Sequence, residues 1–113
     1  ERVRAAAAAR PPRVRAAPPP MFVLVLDLDL QIPHAQSLKD KRAVVKRLIE
    51  RARQRFNVAI AEVDGQDLLQ RAAIGVAVVS GTQRHASDVM DEVERFVWEQ
   101  DVVVLSMERR WLE

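Results

Sequence analysis

Two carboxylates, Asp27 and Asp29, stand two residues apart in an alternating apolar segment, and that spacing on one strand face separates them by about 6–7 Å. Carboxylates so placed can share acid and base work on a glycosidic bond or hold a divalent ion. Neither chemistry finds the further group it needs. No third ligand accompanies the pair, and Arg71, on the same face of the neighbouring strand, is placed to neutralise both. His34 and His85 are isolated in sequence. The chain has no cysteine, which removes thiolate nucleophiles, Cys-type zinc sites and disulfides together. No catalytic, cofactor-binding or metal-ligating residue is assigned, and no cofactor is expected.

Two denser groupings remain. Lys39, Lys41, Arg42, Lys46, Arg47, Arg51, Arg53 and Arg55 lie within one predicted helix against only Asp40 and Glu50, a net +6 on one element. Lys39, Lys46 and Arg53 share one flank of its apolar stripe, and Arg47, Arg51 and Arg55 the other. Such a helix suits phosphates of a structured RNA, where charge and shape suffice without base readout. The competing reading pairs it with a second helix carrying Asp88, Asp91, Glu92, Glu94 and Glu99; only one flank can face those acids. The other grouping is a polar cluster of His34, Ser37, Lys41, Arg42, Glu62, Asp64, Gln66, Asp67, Gln70 and Arg71, which the topology described next gathers at one end of a sheet. Glu62 shares the parity of Val58 and Ile60 and so points to the helix side, within reach of Lys41 or Arg42. An ion pair is the plain explanation of these residues; a small-ligand or active site, or a partner-binding rim, is the alternative.

The elements that position these groups follow from periodicity. Residues 22–32 alternate strictly, with Phe22, Leu24, Leu26, Leu28, Leu30 and Ile32 on one side, which is a strand ended by Pro33. Ser37 with Asp40 opens a helix to about Phe56 that buries Leu38, Val45, Leu48, Ile49, Ala52 and Phe56. A second strand from Val58 reaches the Asp64-Gly65 turn, a third runs over residues 69–80, a second helix over about 82–100, and a last strand over about 102–110. The order βαββαβ predicts an α+β, ferredoxin-like split βαβ fold: a four-stranded antiparallel sheet ordered 4-1-3-2 with both helices on one face.

That fold leaves one sheet face without helices. Its central positions, Val23, Val25, Ala73, Gly75, Ala77 and Val79, hold no aromatic ring, which argues against the base stacking of an RNA-recognition motif. A solvated antiparallel face should instead be polar, so this one is expected to be covered in a homo-oligomer, most simply a two-fold dimer.

Residues 1–20 form an Arg/Ala/Pro arm with five arginines against one glutamate, expected to be disordered and outside the fold; residues 21–113 form the domain, with 13 basic and 15 acidic side chains. The basic pI therefore belongs to the arm. Arg, Ala and Pro are also what GC-rich codons yield when a start is placed upstream of Met21. No apolar run approaches the roughly 20 residues that cross a bilayer, so no membrane role and a cytoplasmic location are expected.

The stretches SLKDKRAVVKRLIERARQRFNVAIAEVDGQDLLQRA (residues 37–72) and IGVAVVS (residues 74–80) resemble the YlxP-like family of small uncharacterised bacterial proteins. The resemblance covers essentially all of residues 21–113, with Leu69, where an aromatic is common, as a departure. It implies the ferredoxin-like fold and a bacterial cytoplasmic protein, and it suggests a link to translation or ribosome maturation, because such genes often neighbour those of translation initiation and ribosome-binding factors. It supplies no catalytic residue. The expected function is thus a non-enzymatic accessory protein contacting RNA or a ribosomal particle through its first helix. The alternatives are a homo-oligomeric assembly module without nucleic-acid binding, or a small-ligand enzyme at the polar end of the sheet.

Overall fold

A computed structural model of the chain describes residues 11–12 and 18–112; the expected disordered arm lies mostly outside the described residues. The elements are β1 (Phe22–Gln31), α1 (Leu38–Arg55), β2 (Ala59–Asp64), β3 (Arg71–Ser80), α2 (Gln83–Trp98) and β4 (Val103–Leu112). The sheet order β2-β3-β1-β4, antiparallel at every junction, is the ferredoxin-like arrangement.

Period-two alternation makes β1 the spine of the core. Leu24, Leu26, Leu28 and Leu30 are buried and face Ile74, Val76 and Val78 of β3 and Met90, Val93 and Phe96 of α2 in one cluster. Each fully buried side chain of this size is worth about 1.5–3 kcal/mol. Both helices start at side-chain caps, which satisfy amides that have no partner within the helix. Ser37 Oγ accepts from the Asp40 amide at 3.0 Å, and Thr82 Oγ1 from the His85 amide at 3.2 Å. At their far ends Phe56 and Phe96 meet edge to face at 5.7 Å, joining the helices.

Three boundaries differ from expectation. β1 stops at Gln31 because, although the Ile32 amide still bonds the in-register Gln70 carbonyl at 2.8 Å, the Ile32 carbonyl turns to accept from the Ala35 amide at 3.3 Å in the turn that Pro33 opens. β3 begins at Arg71 rather than 69, because a tight turn closes ahead of it with the Leu68 amide on the Gly65 carbonyl at 3.0 Å. β4 continues to Leu112, since Trp111 and Leu112 pair with Leu24 and Val23. Two bulges, at Val63 in β2 and Leu105 in β4, shift the register next to the polar end of the sheet.

Candidate functional site

The apolar stripe of α1 settles where its charges point. Val45, Leu48 and Ala52 are buried, with Ile49 packed partly against the core, so Lys39, Arg42, Lys46, Arg47, Arg51, Arg53 and Arg55 are left outside it on either side. Arg42, Lys46 and Arg53 line a groove of about 400 Å³ between α1 and the free edge of β2, together with Val45, Ile49, Ala61 and the carboxylates Glu50 and Glu62. Arg47 and Arg51 border a small cleft of about 80 Å³ on the opposite flank, beside Gln100 and Val102.

Pairing with the acidic helix, the competing reading, is slight. Asp91 and Glu94 of α2 turn to Arg109 of β4, at 2.6 and 2.5 Å, and Glu92 pairs with Arg95 of its own helix. Only Glu99 reaches α1, 3.9 Å from Arg55, whose guanidinium also lies over the Phe56 and Phe96 rings at 5.3 and 5.4 Å. Arg51 meets the amide oxygen of Gln100 at 3.3 Å, and Arg53 donates to the Ile60 carbonyl at 3.0 Å. Lys46 is 3.9 Å from Glu50 of the same helix. Lys39, Arg42 and Arg47 have no carboxylate partner among the described residues. The reason is geometric: α2 lies over β1 and β3 with its acidic side toward β4, while α1 lies over β2. Arg109 is held above its ordinary pKa by the hydrogen bond to Glu94, against partial burial and with Asp91 adding to the rise, so it stays a cation.

The polar cluster gathers at one end of the sheet but is divided by it. On the helix side, Lys41 is completely buried, and its ammonium donates to Glu62 Oε2 at 2.5 Å and to the Gly65 and Gln66 carbonyls at 2.8 and 3.3 Å. Of the two cations offered to Glu62 by parity, the structure selects Lys41 and leaves Arg42 outward. Gln66 returns a bond to the Glu62 carbonyl at 3.4 Å, Asp64 Oδ1 accepts from the Gly65 amide at 2.8 Å, and Gln70 ties the Pro33 and Ala35 carbonyls at 3.3 and 3.1 Å. Ser37 is spent as the α1 cap. His34 and Asp67 are exposed. These bonds fasten the β2–β3 hairpin to the start of α1.

Arg71 belongs to the other, helix-free face. It pairs with Asp29 alone, at 2.5 Å, and not with both carboxylates as expected. Asp27 is held by Arg110 of β4 at 2.9 Å. Sequence reasoning missed both Arg109 and Arg110, because which β4 residue meets which partner depends on the register beyond the Leu105 bulge. A hollow of about 380 Å³ on this face is bordered by Asp27, Asp29, Asp64, Arg71, Ser106 and Glu108. No group of three or more potential metal ligands occurs among the described residues. Val23, Val25, Ala73, Gly75 and Ala77 are half-buried and Val79 is exposed, all on this same face.

A sequence profile described as a protein of unknown function, DUF503, matches residues 23–109. The chain belongs to the DUF503 family. It is also similar to the "Uncharacterized protein YlxP" of Bacillus subtilis (strain 168), 41% identical over 63 residues that cover 56% of this chain and 68% of the relative. The DUF503 match runs from β1 to Arg109 and so takes in all of α1, the Lys41–Glu62 lock and the acidic side of α2. No helix among the described residues is long and apolar enough to cross a membrane.

Proposed function

We propose that this DUF503 protein is a non-catalytic accessory protein of translation or ribosome maturation that docks α1 on the phosphate backbone of structured RNA. The observation that carries the reading is the direction of the α2 carboxylates: Asp91 and Glu94 are engaged by Arg109, so among the described residues α2 leaves most of the positive charge of α1 uncancelled. An exposed surface of like charge invites polyanions, because each phosphate neutralised releases condensed counterions. An 18-residue helix is about 27 Å long, enough to follow a groove of an RNA duplex by shape and backbone contact alone. Arg42, Lys46 and Arg47 are the principal contacts. Arg53 assists from its place on the Ile60 carbonyl, Lys39 extends the surface toward the N-terminal end, and Arg51 and Arg55 are partly occupied by Gln100 and Glu99.

The enzyme reading draws less support, because Lys41, Glu62, Gln66 and Gln70 are each committed to bonds that hold the hairpin. Co-sedimentation of the full chain with bacterial ribosomal particles tests the proposal. The protein should pellet with the particles at low salt and be released at high salt; equal absence from the pellet at both would refute it.

A further inference from the structure

The helix-free face has a relief as well as an apolar character. Its rows run across the sheet: Leu112, Val23 and Val79; then Arg110, Val25, Ala77 and Ala59; then Glu108, Asp27, Gly75 and Ala61; then Ser106, Asp29 and Ala73. Small residues in the second and third rows make a shallow hollow of about 480 Å³ bordered by Arg53 and Arg110. Around it stand Val79, Val63 and Leu112, exposed to 63, 61 and 52%. Gly75 is part of this shape, since a Cβ there would lie 3.2 Å from Val63 Cγ1.

We infer that this face is the contact of a two-fold homodimer whose axis lies in the interface and crosses the strands between the Ala77 and Gly75 rows. A two-fold contact uses one patch twice. About such an axis the second row of one copy covers the third row of the other, and the first covers the fourth. Ala77 then rests on Gly75 and Ala59 on Ala61, while the projecting Val79 meets Ala73 of the second copy. On β4 the charges follow the same operator, while on β1 it lays Val25 and Val23 over Asp27 and Asp29 of the second copy, which keep Arg110 and Arg71 of their own chain. Glu108 has no cation partner among the described residues, and the rotation brings Arg110 of the second copy over it. Four rows of four strands cover about 500 Å² of sheet per copy at ordinary strand spacing and rise, or about 1,000 Å² in all, the lower bound for a specific interface. A micromolar dimer is therefore expected. The small side chains let the sheets approach closely, which the loss of solvent over an apolar patch then favours.

Sedimentation equilibrium of the full chain tests this. The wild type should show the dimer mass at high micromolar concentration and dissociate on dilution. Ala77→Glu should be a monomer with wild-type circular dichroism, and an equimolar mixture with Ala77→Lys should recover the dimer, since the two new charges then attract across the axis. Glu108→Arg lies at an exposed position without a partner among the described residues, so it leaves the fold alone and should weaken the dimer by about tenfold or more through like charge against Arg110. A wild type that stays monomeric throughout would overturn the inference, as would dimers of Ala77→Glu and Glu108→Arg as strong as the wild type. Of the proposed RNA contacts only Arg53 borders this hollow, so the binding carried by Arg42, Lys46 and Arg47 should be unaffected by either variant.

Discussion

Removing the carboxylate of Glu62 is the sharpest perturbation of the fold. Lys41 has no solvent exposure and its ammonium has three acceptors, of which only Glu62 carries charge. In Glu62→Ala the two carbonyls remain, but the ammonium is left buried without a counter-ion, which costs about 3–5 kcal/mol. For a domain of this size, 1 kcal/mol corresponds to about 4–8 °C in Tm, so the variant should melt at least about 12 °C lower or fail to fold, given total stabilities of about 5–15 kcal/mol. Lys41→Met removes the charge itself and keeps much of the stem's volume; Glu62 is 15% exposed and can be hydrated. Its cost should be smaller, about 1–3 kcal/mol. The double variant Lys41→Met/Glu62→Gln should be more stable than Glu62→Ala, because no buried ion remains. Urea unfolding followed by Trp98 and Trp111 fluorescence and by circular dichroism would supply the stabilities of the wild type and the three variants. A Glu62→Ala cost below about 1 kcal/mol would refute the reasoning, since that is the range of a solvated surface pair.

Two further substitutions probe the frame around the site. Gly65 adopts φ +77°, and a Cβ placed there would find its nearest neighbour at an ordinary 3.5 Å, so Gly65→Ala should cost about 1–2 kcal/mol from backbone strain alone, read as a lower urea midpoint with an unchanged slope. Arg109 fastens α2 to β4 through Asp91 and Glu94. Arg109→Ala should cost about 1–2 kcal/mol after allowance for the exposure of its partners, and it should strengthen nothing on α1, because Asp91 and Glu94 face β4; a matching loss of RNA affinity on this change would show that the freed acids reach α1 after all.

Most of the architecture is legible in residue order because local signals agree with the global arrangement. The eleven-residue alternation from Phe22, the Ser37 cap and the Asp64-Gly65 turn each map onto an element, whereas the Thr82 cap of α2 is seen only in the structure. The inward position of Lys41 was also within reach, since Lys41, Val45, Leu48 and Ala52 fall at the spacing of one helical face and are all buried. Its tripartite lock was not, because the Gly65 and Gln66 carbonyls are backbone groups of a loop. Pairing on the last strand escaped for a different reason. One extra residue at Leu105 moves every later side chain by one register position, and bulges carry little local sequence signature. The partners of Asp27, Asp91 and Glu94 therefore emerge only in three dimensions, and with them the fact that the charge of α1 is left unbalanced.

The unbalanced charge of α1 is the central claim, and the direct measurement is fluorescence anisotropy of a labelled ribosomal RNA hairpin titrated with the full chain across a range of salt concentrations. Binding should weaken with a log-log slope of about −0.7 to −0.9 per phosphate contacted, which for the Arg42, Lys46 and Arg47 contacts alone is a slope near −2 to −3. The variant Arg42→Glu/Lys46→Glu/Arg47→Glu replaces three side chains with no carboxylate partner outside their own helix among the described residues, so it should fold as the wild type does and bind with a slope close to zero or not at all. Wild-type affinity and slope in that folded variant would contradict the account.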